Sequence, residues 1–316
     1  MTKSKNFKKL IKVAEEYINK NAKDILCAVR GKDYSKNPET CCCREIINDK
    51  YSPKYRIEDI KKKTEKEIKE ILIERFCVEL QNQSGRANAI KYFSYGEDFK
   101  NEIFRIVKGC YEDLFNEKMQ WCTLYHIFNK NPLININNEK TLKDFEKACK
   151  NCGYSECEKM QRKRNFGWRE YSRGLIDALK YIKNLDCEEF KKNLSIINDV
   201  EKHEERKTIF KTLTKEIHSL GDELVYDFFK ELCCENLVKP DVHIKYLYNE
   251  IIKGEKKNSY DIAEDIIQMC KEFGYSPYYA DKILWLCCTG NFNNDGITIN
   301  AMNRENFINT LILNKN

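Results

Sequence analysis

Proline and glycine are scarce in this chain of 316 residues, numbering 5 and 12, so little punctuates it and long helices joined by short turns are expected. No apolar run approaches the ~18 residues that a membrane span needs. Met1–Leu10 is lysine-rich with no apolar segment behind it, so neither a membrane-spanning nor a secreted protein is expected. Histidine is rare, at 4, and no cysteine has a His and Asp pattern around it that would make it a catalytic nucleophile.

Charged residues make up 34% and hydrophobic ones 41%, with a mean hydropathy of −0.69, the composition of a polar, folded chain. The 16 cysteines are numerous, but without a leader segment they point to an intracellular reducing compartment, cytoplasm or nucleoid or nucleus. There thiols stay free or bind metal. Charge is uneven. Residues 201–316 carry 15 Lys and Arg against 19 Asp and Glu, whereas the first 200 carry 41 against 31. A nucleic-acid surface is therefore expected to draw on the first two thirds of the chain.

Apolar residues recur at helical spacing almost throughout, with no convincing alternating strand, and the fold class expected is all-α. Lys3–Arg30 opens with Phe7, Leu10, Ile11, Ala14 and Ile18 on one face, and Ile57–Gln81 reads as one long charged helix. An Asn-rich loop over 129–138 suggests a division into an N-terminal helical region, 1–135, and a second region, 136–316. Further helices are expected over 166–184, 187–199, 206–218, 222–234, 241–253, 259–273, 277–287 and 303–313.

One stretch is sharper than the rest. A helix ends near Ile217, a turn runs through His218, Ser219, Leu220 and Gly221, and an amphipathic helix follows with Leu224, Val225, Phe228, Phe229 and Leu232 inward. This is a helix–hairpin–helix pattern, whose turn presents backbone N–H groups to a phosphate. Asp241 lies 20 residues after Gly221, preceded by Pro240 and followed by His243. Pro-Asp before an apolar-periodic run is also ordinary helix initiation, with Asp as the cap.

Hairpin, offset and Asp-x-His together resemble the helix–hairpin–helix DNA glycosylase superfamily, which includes endonuclease III and the 8-oxoguanine and alkyl-base glycosylases. The resemblance implies a multi-helix domain over 136–316 that binds double-stranded DNA as a monomer. It implies that Ile217, Ser219, Leu220 and Gly221 form the backbone-binding hairpin and that Asp241 is the catalytic carboxylate, with His243 in local support. No cofactor is required for such a reaction. Cleaving an N-glycosidic bond builds positive charge on the deoxyribose, and a fixed carboxylate stabilises it. Family members that also nick the backbone carry a lysine nucleophile two residues after the hairpin glycine. Glu223 stands there, and a carboxylate cannot form a Schiff base, so a monofunctional glycosylase is expected.

Gln161–Arg173 is the densest basic segment, and its Arg162, Lys163, Arg164, Trp168 and Arg169 suit phosphate contact with base stacking; the same residues also suit an exposed helix face. Cys149, Cys152 and Cys157 have ligand-like spacing for zinc or an iron–sulfur cluster but lack an evident fourth ligand, and the cysteine loop of some endonuclease III relatives is absent. Cys233, Cys234, Cys270, Cys287 and Cys288 fall at apolar helix positions and read as core, and Glu201–Lys207 reads as a solvated helix face. Two other readings stay open: a non-catalytic hairpin protein that binds DNA or a partner, and a structural protein organised by metal at the three cysteines.

Overall fold

The computed structural model describes residues 3–30, 51–81, 97–113, 124, 127–128, 166–252 and 257–313. Among them lie twelve α-helices: α1 (Lys3–Arg30), α2 (Ile57–Lys61), α3 (Glu65–Glu79), α4 (Glu97–Asp113), α5 (Phe166–Lys183), α6 (Cys187–Asn198), α7 (His203–Glu216), α8 (Asp222–Leu232), α9 (Val242–Leu247), α10 (Ser259–Phe273), α11 (Pro277–Thr289) and α12 (Arg304–Leu313). The chain is all-α, and no helix among the described residues is long and apolar enough to cross a membrane.

Two local signals modify the simple periodic pattern. The expected helix over 57–81 is two helices, because Thr64 and Glu67 form a reciprocal capping box that starts α3 afresh. The Glu67 carboxyl is pulled down to about 2 by the Thr64 amide and hydroxyl and by Lys63. Beyond α11, where no strand was expected, Asn291–Phe292 and Ile297–Thr298 form a minimal antiparallel pair. Gly290 ends α11 just ahead of that pair, at φ 62°, where a side chain would run into the carbonyls of Ile299 and Met302.

The chain falls into two compact units that interleave along the sequence. The first comprises Met1–Glu58, Leu194–Lys207 and Phe229–Asn316; the second comprises Asp59–Asn193 and Thr208–Phe228.

In the first unit, α1 is the central element. Its Phe7, Leu10, Ile11, Ala14, Ile18, Ala22 and Leu26 have no exposed surface and follow the three-four spacing of one helix face. That face packs on α10, α11, α12 and a π-turn over Tyr248–Ile252 that continues α9. Polar ends are tied in as well: the Tyr17 hydroxyl donates to the Ala301 carbonyl and that of Tyr279 to Glu15 at 2.6 Å. Lys3 reaches Asp265 at 2.6 Å, joined there by Lys257 at 3.0 Å and the Tyr248 hydroxyl. The charged run 201–207 holds an exception to its expected solvation. Arg206 is fully buried, its fork on Glu264 and its remaining nitrogen donating to the carbonyls of Ile197 and Asp199, both at 2.9 Å.

In the second unit, α3 packs against α4 and α5. Phe76 lies 4.4 Å from the ring of Phe228 and 6.5 Å from that of Tyr181. The buried Tyr171 hydroxyl donates to the Cys77 carbonyl and accepts from Gln81. Eight of the nine described cysteines are buried, Cys27 being half-exposed, and none forms a disulfide. Burial pushes the thiols of Cys77, Cys187, Cys234, Cys270 and Cys287 up.

Candidate functional site

The hairpin belongs to the second unit and has the expected helix–turn–helix form. Helix α7 ends at Glu216, and Ile217 and Leu220 turn inward, 0% and 2% exposed. Between them Ser219 adopts φ 70°, the only left-handed non-glycine among the described residues. Gly221 plays a different part from the one a hairpin glycine suggests. Its φ is not left-handed and a Cβ there would meet nothing within 4 Å. Its carbonyl accepts from the amides of Leu224 and Val225, both at 3.0 Å, and so opens α8.

Three residues of α5, spaced four and three apart, hold this turn. Glu170, 4% exposed, is hydrogen-bonded to the His218 ring, and the Asp177 carboxylate accepts from the His218 amide at 3.2 Å. Between them Gly174 lets the two backbones meet, since a Cβ there would stand 2.6 Å from the His218 carbonyl oxygen. The turn is thus rigidly seated, but with acidic neighbours: Glu170 and Asp177 behind it and Asp222 and Glu223 in the first turn of α8.

Asp241 belongs to the first unit. It caps α9, with Oδ1 accepting from the amides of His243 at 2.8 Å and Ile244 at 2.9 Å. No hydrogen bond engages its other oxygen among the described residues. Behind it stands a buried charged cluster. Lys230 and Asp281, 2% and 3% exposed, pair at 2.5 Å, and the other Asp281 oxygen accepts from the Lys239 amide at 2.8 Å. That second bond ties the segment leading into Asp241 to α11. Burial raises the Asp281 carboxyl, Lys230 and Lys282 oppose the rise, and the nearby Asp241 charge adds to it. Lys282 also pairs with Glu231 at 2.7 Å and lies over the rings of Tyr278, Tyr51 and Trp285.

His243 is held neutral. Burial lowers its pKa below 6.5, outweighing the Asp241 carboxylate, and Arg304 lowers it further. Its Nδ1 is buried with no hydrogen-bond partner among the described residues. The Cys288 thiol is pushed up to about 12 by burial, with Asp241 raising it and Arg304 opposing, which makes it a poor nucleophile. Exposed Val242, at 61%, puts an apolar surface immediately beside Asp241.

The arrangement in this unit is a carboxylate with one oxygen fixed and one open, a neutral imidazole and a guanidinium. It suits stabilising positive charge on a substrate and orienting a nucleophilic water. Arg304 and the ring it lies on, Tyr246, went unnoticed in the sequence. The available signal was a cation directly after Asn303, whose side chain accepts from the Asn306 amide at 3.0 Å and caps α12. An arginine at the first position of a helix opposes the helix dipole.

The remaining expected residues are placed less fully. Trp168 and Arg169 lie on α5, their side chains outside the described part, and Arg162, Lys163 and Arg164 precede the described residues of that helix. Cys149, Cys152 and Cys157 lie outside the described residues, and no cluster of three or more metal-ligating side chains occurs within them. An open groove of about 830 Å³ in the first unit is lined by Tyr55, Arg56, Asn198, Asp199, Cys233 and Glu235 among others, and Asp241 is not part of it. No family model, no curated protein and no solved structure matches this chain.

Proposed function

We propose that this protein is a base-excision DNA glycosylase that hydrolyses the N-glycosidic bond of a damaged or modified base and does not cut the backbone. The observation that carries the reading is the state of Asp241. Two amides fix one carboxylate oxygen and leave the other uncommitted, beside an exposed valine and a neutral histidine. As the glycosidic bond lengthens, charge grows on the sugar, and a carboxylate that needs no reorganisation stabilises it. The same oxygen can orient the water that attacks C1′; the base departs with the pair of the C1′–N bond, and the proton that the water loses ends on that base. Flipping the nucleotide out of the helix precedes this step. Support from the other unit is the left-handed Ser219 in a turn between two helices, the conformation a phosphate-binding hairpin needs at that point.

The test is incision of duplex oligonucleotides, each with one lesion (uracil, 8-oxoguanine, an alkylated purine or hypoxanthine), with and without hot alkali. Cleavage only after alkali, lost in Asp241→Asn, is the expected result. Cleavage without alkali would overturn the reading of Glu223 as excluding lyase action. The acidic surroundings of the hairpin favour one competing reading, a non-catalytic hairpin protein. Duplex binding without incision of any lesion would establish that reading instead.

A further inference from the structure

The buried Lys230–Asp281 pair takes no part in the reaction proposed above, and apolar residues of similar volume often replace such pairs without loss of stability. What an apolar side chain does not supply is the second Asp281 oxygen. Oδ1 accepts from the Lys239 amide at 2.8 Å, and the carbonyl of that same Lys239 accepts from the Asp241 amide, also at 2.8 Å. Between the two bonded residues lies only Pro240, which is buried and has its φ locked by its ring. Lys239 is confined to extended backbone, because a proline follows it. The strap 239–241 is thus pinned to α11 at one end, closed on itself by a hydrogen bond, and left with few torsions to turn about. At its other end Asp241 enters α9, where its Oδ1 accepts from the amides of His243 and Ile244. Lys230 holds Asp281 by Oδ2 at 2.5 Å and so fixes the orientation of the carboxylate that grips the strap.

We infer that Asp281 is the positioning residue for Asp241: its hold on the Lys239 amide sets where the Asp241 carboxylate stands, and Lys230 orients Asp281 for that task. That Asp241 then acts on a sugar rests on the glycosylase reading; the hold on the strap does not.

The test compares two double variants of the full chain. Lys230→Met, Asp281→Leu removes the pair without leaving a charge buried and takes away the acceptor for Lys239. Lys230→Met, Asp281→Asn keeps that acceptor, since the new side chain carries a carbonyl oxygen. Circular dichroism and thermal denaturation check that both fold. The first readout is hydrogen exchange at the amides of Lys239, Asp241, His243 and Ile244. The last two are first-turn amides with no carbonyl behind them in the helix, so their protection reports the Asp241 carboxylate itself. Exchange at all four is expected to rise about tenfold in the first double variant and to stay within about threefold of wild type in the second. Pro240→Ala frees the middle of the strap without touching the buried pair, and should raise exchange at His243 and Ile244 by about threefold. The second readout is incision. The single-turnover rate is expected to fall about tenfold in the first double variant, with duplex affinity unchanged, and to be rescued in the second. Wild-type exchange at His243 and Ile244 in the first double variant or in Pro240→Ala, or no rescue in the second double variant, would overturn the inference and spare the glycosylase reading. A wild type that incises no lesion, with the exchange pattern as expected, would sink the glycosylase reading and leave the positioning of Asp241 by Asp281 standing.

Discussion

Replacing Arg206 with methionine is expected to be among the most damaging single changes in the first unit. Its guanidinium has no exposed surface and four bonds: two to Glu264 and two to the carbonyls of Ile197 and Asp199 that close the end of α6. Methionine fills most of the volume, so the cost is electrostatic rather than steric. Removing one member of a buried ion pair costs about 3–5 kcal/mol, because the surviving charge loses its main buried counter-charge. The Glu264 side chain keeps 16% exposure, which lets water soften that penalty and puts the expectation near the lower bound, about 3 kcal/mol. Removing both charges in Arg206→Met, Glu264→Met takes away the carboxylate that lost its guanidinium, leaving the two carbonyls short of a donor at about 1 kcal/mol each. The double variant is therefore expected to be more stable than the single one by about 1 kcal/mol. Urea denaturation followed by circular dichroism, with hydrogen exchange at the end of α6, measures both. A single variant within about 1 kcal/mol of wild type, or a double variant no better than the single, would refute the argument.

Other expectations follow from the same geometry. Ser219→Gly should leave the second unit as stable as wild type or gain up to about 1 kcal/mol, whereas Ser219→Val should lose about 2 kcal/mol, both read by thermal denaturation. Gly174→Ala should cost about 1–3 kcal/mol, because the new methyl meets the His218 carbonyl at 2.6 Å. Gly221→Ala should be close to neutral, since nothing lies within 4 Å of its added carbon. Burial pushes the Asp265 carboxyl up, but Lys3, the Tyr248 hydroxyl and Lys257 outweigh it and hold the group below 3.8. The unfolded chain then takes up the proton first, so this stabilisation is present above 3.8 and is lost as pH falls through the lower folded value. The stability gap between wild type and Asp265→Asn, about 1 kcal/mol near neutrality, should close on acidification below that point.

Helix positions were legible because apolar periodicity survives wherever a helix lays one face on a core, as α1 and α10 do. Periodicity does not register a restart, and the break between α2 and α3 needed the Thr64 and Glu67 pair to be read as a cap. Asp241 was legible as a cap and as a candidate carboxylate alike, since local sequence contains the amides that hold it but nothing about its second oxygen. Arg206 and Arg304 were not legible. In the sequence each is a charge among charges, and what sets them apart is a partner 58 residues away for one and the lack of any described carboxylate partner for the other. Interleaving of the two units has the same origin, because the pairing of α1 with α11 and α12 is long-range.

The buried thiols have a consequence for measuring this protein. Alkylation requires a thiolate in reach of the reagent, and burial withholds both the charge and the access. Cys77 and Cys187 in the second unit, and Cys234, Cys270, Cys287 and Cys288 in the first, should therefore stay silent until their surroundings open. A pulse of reagent, followed by peptide mass mapping, reads the opening of each unit separately and in the unmodified chain. Thiols shut away in the folded state become its clocks.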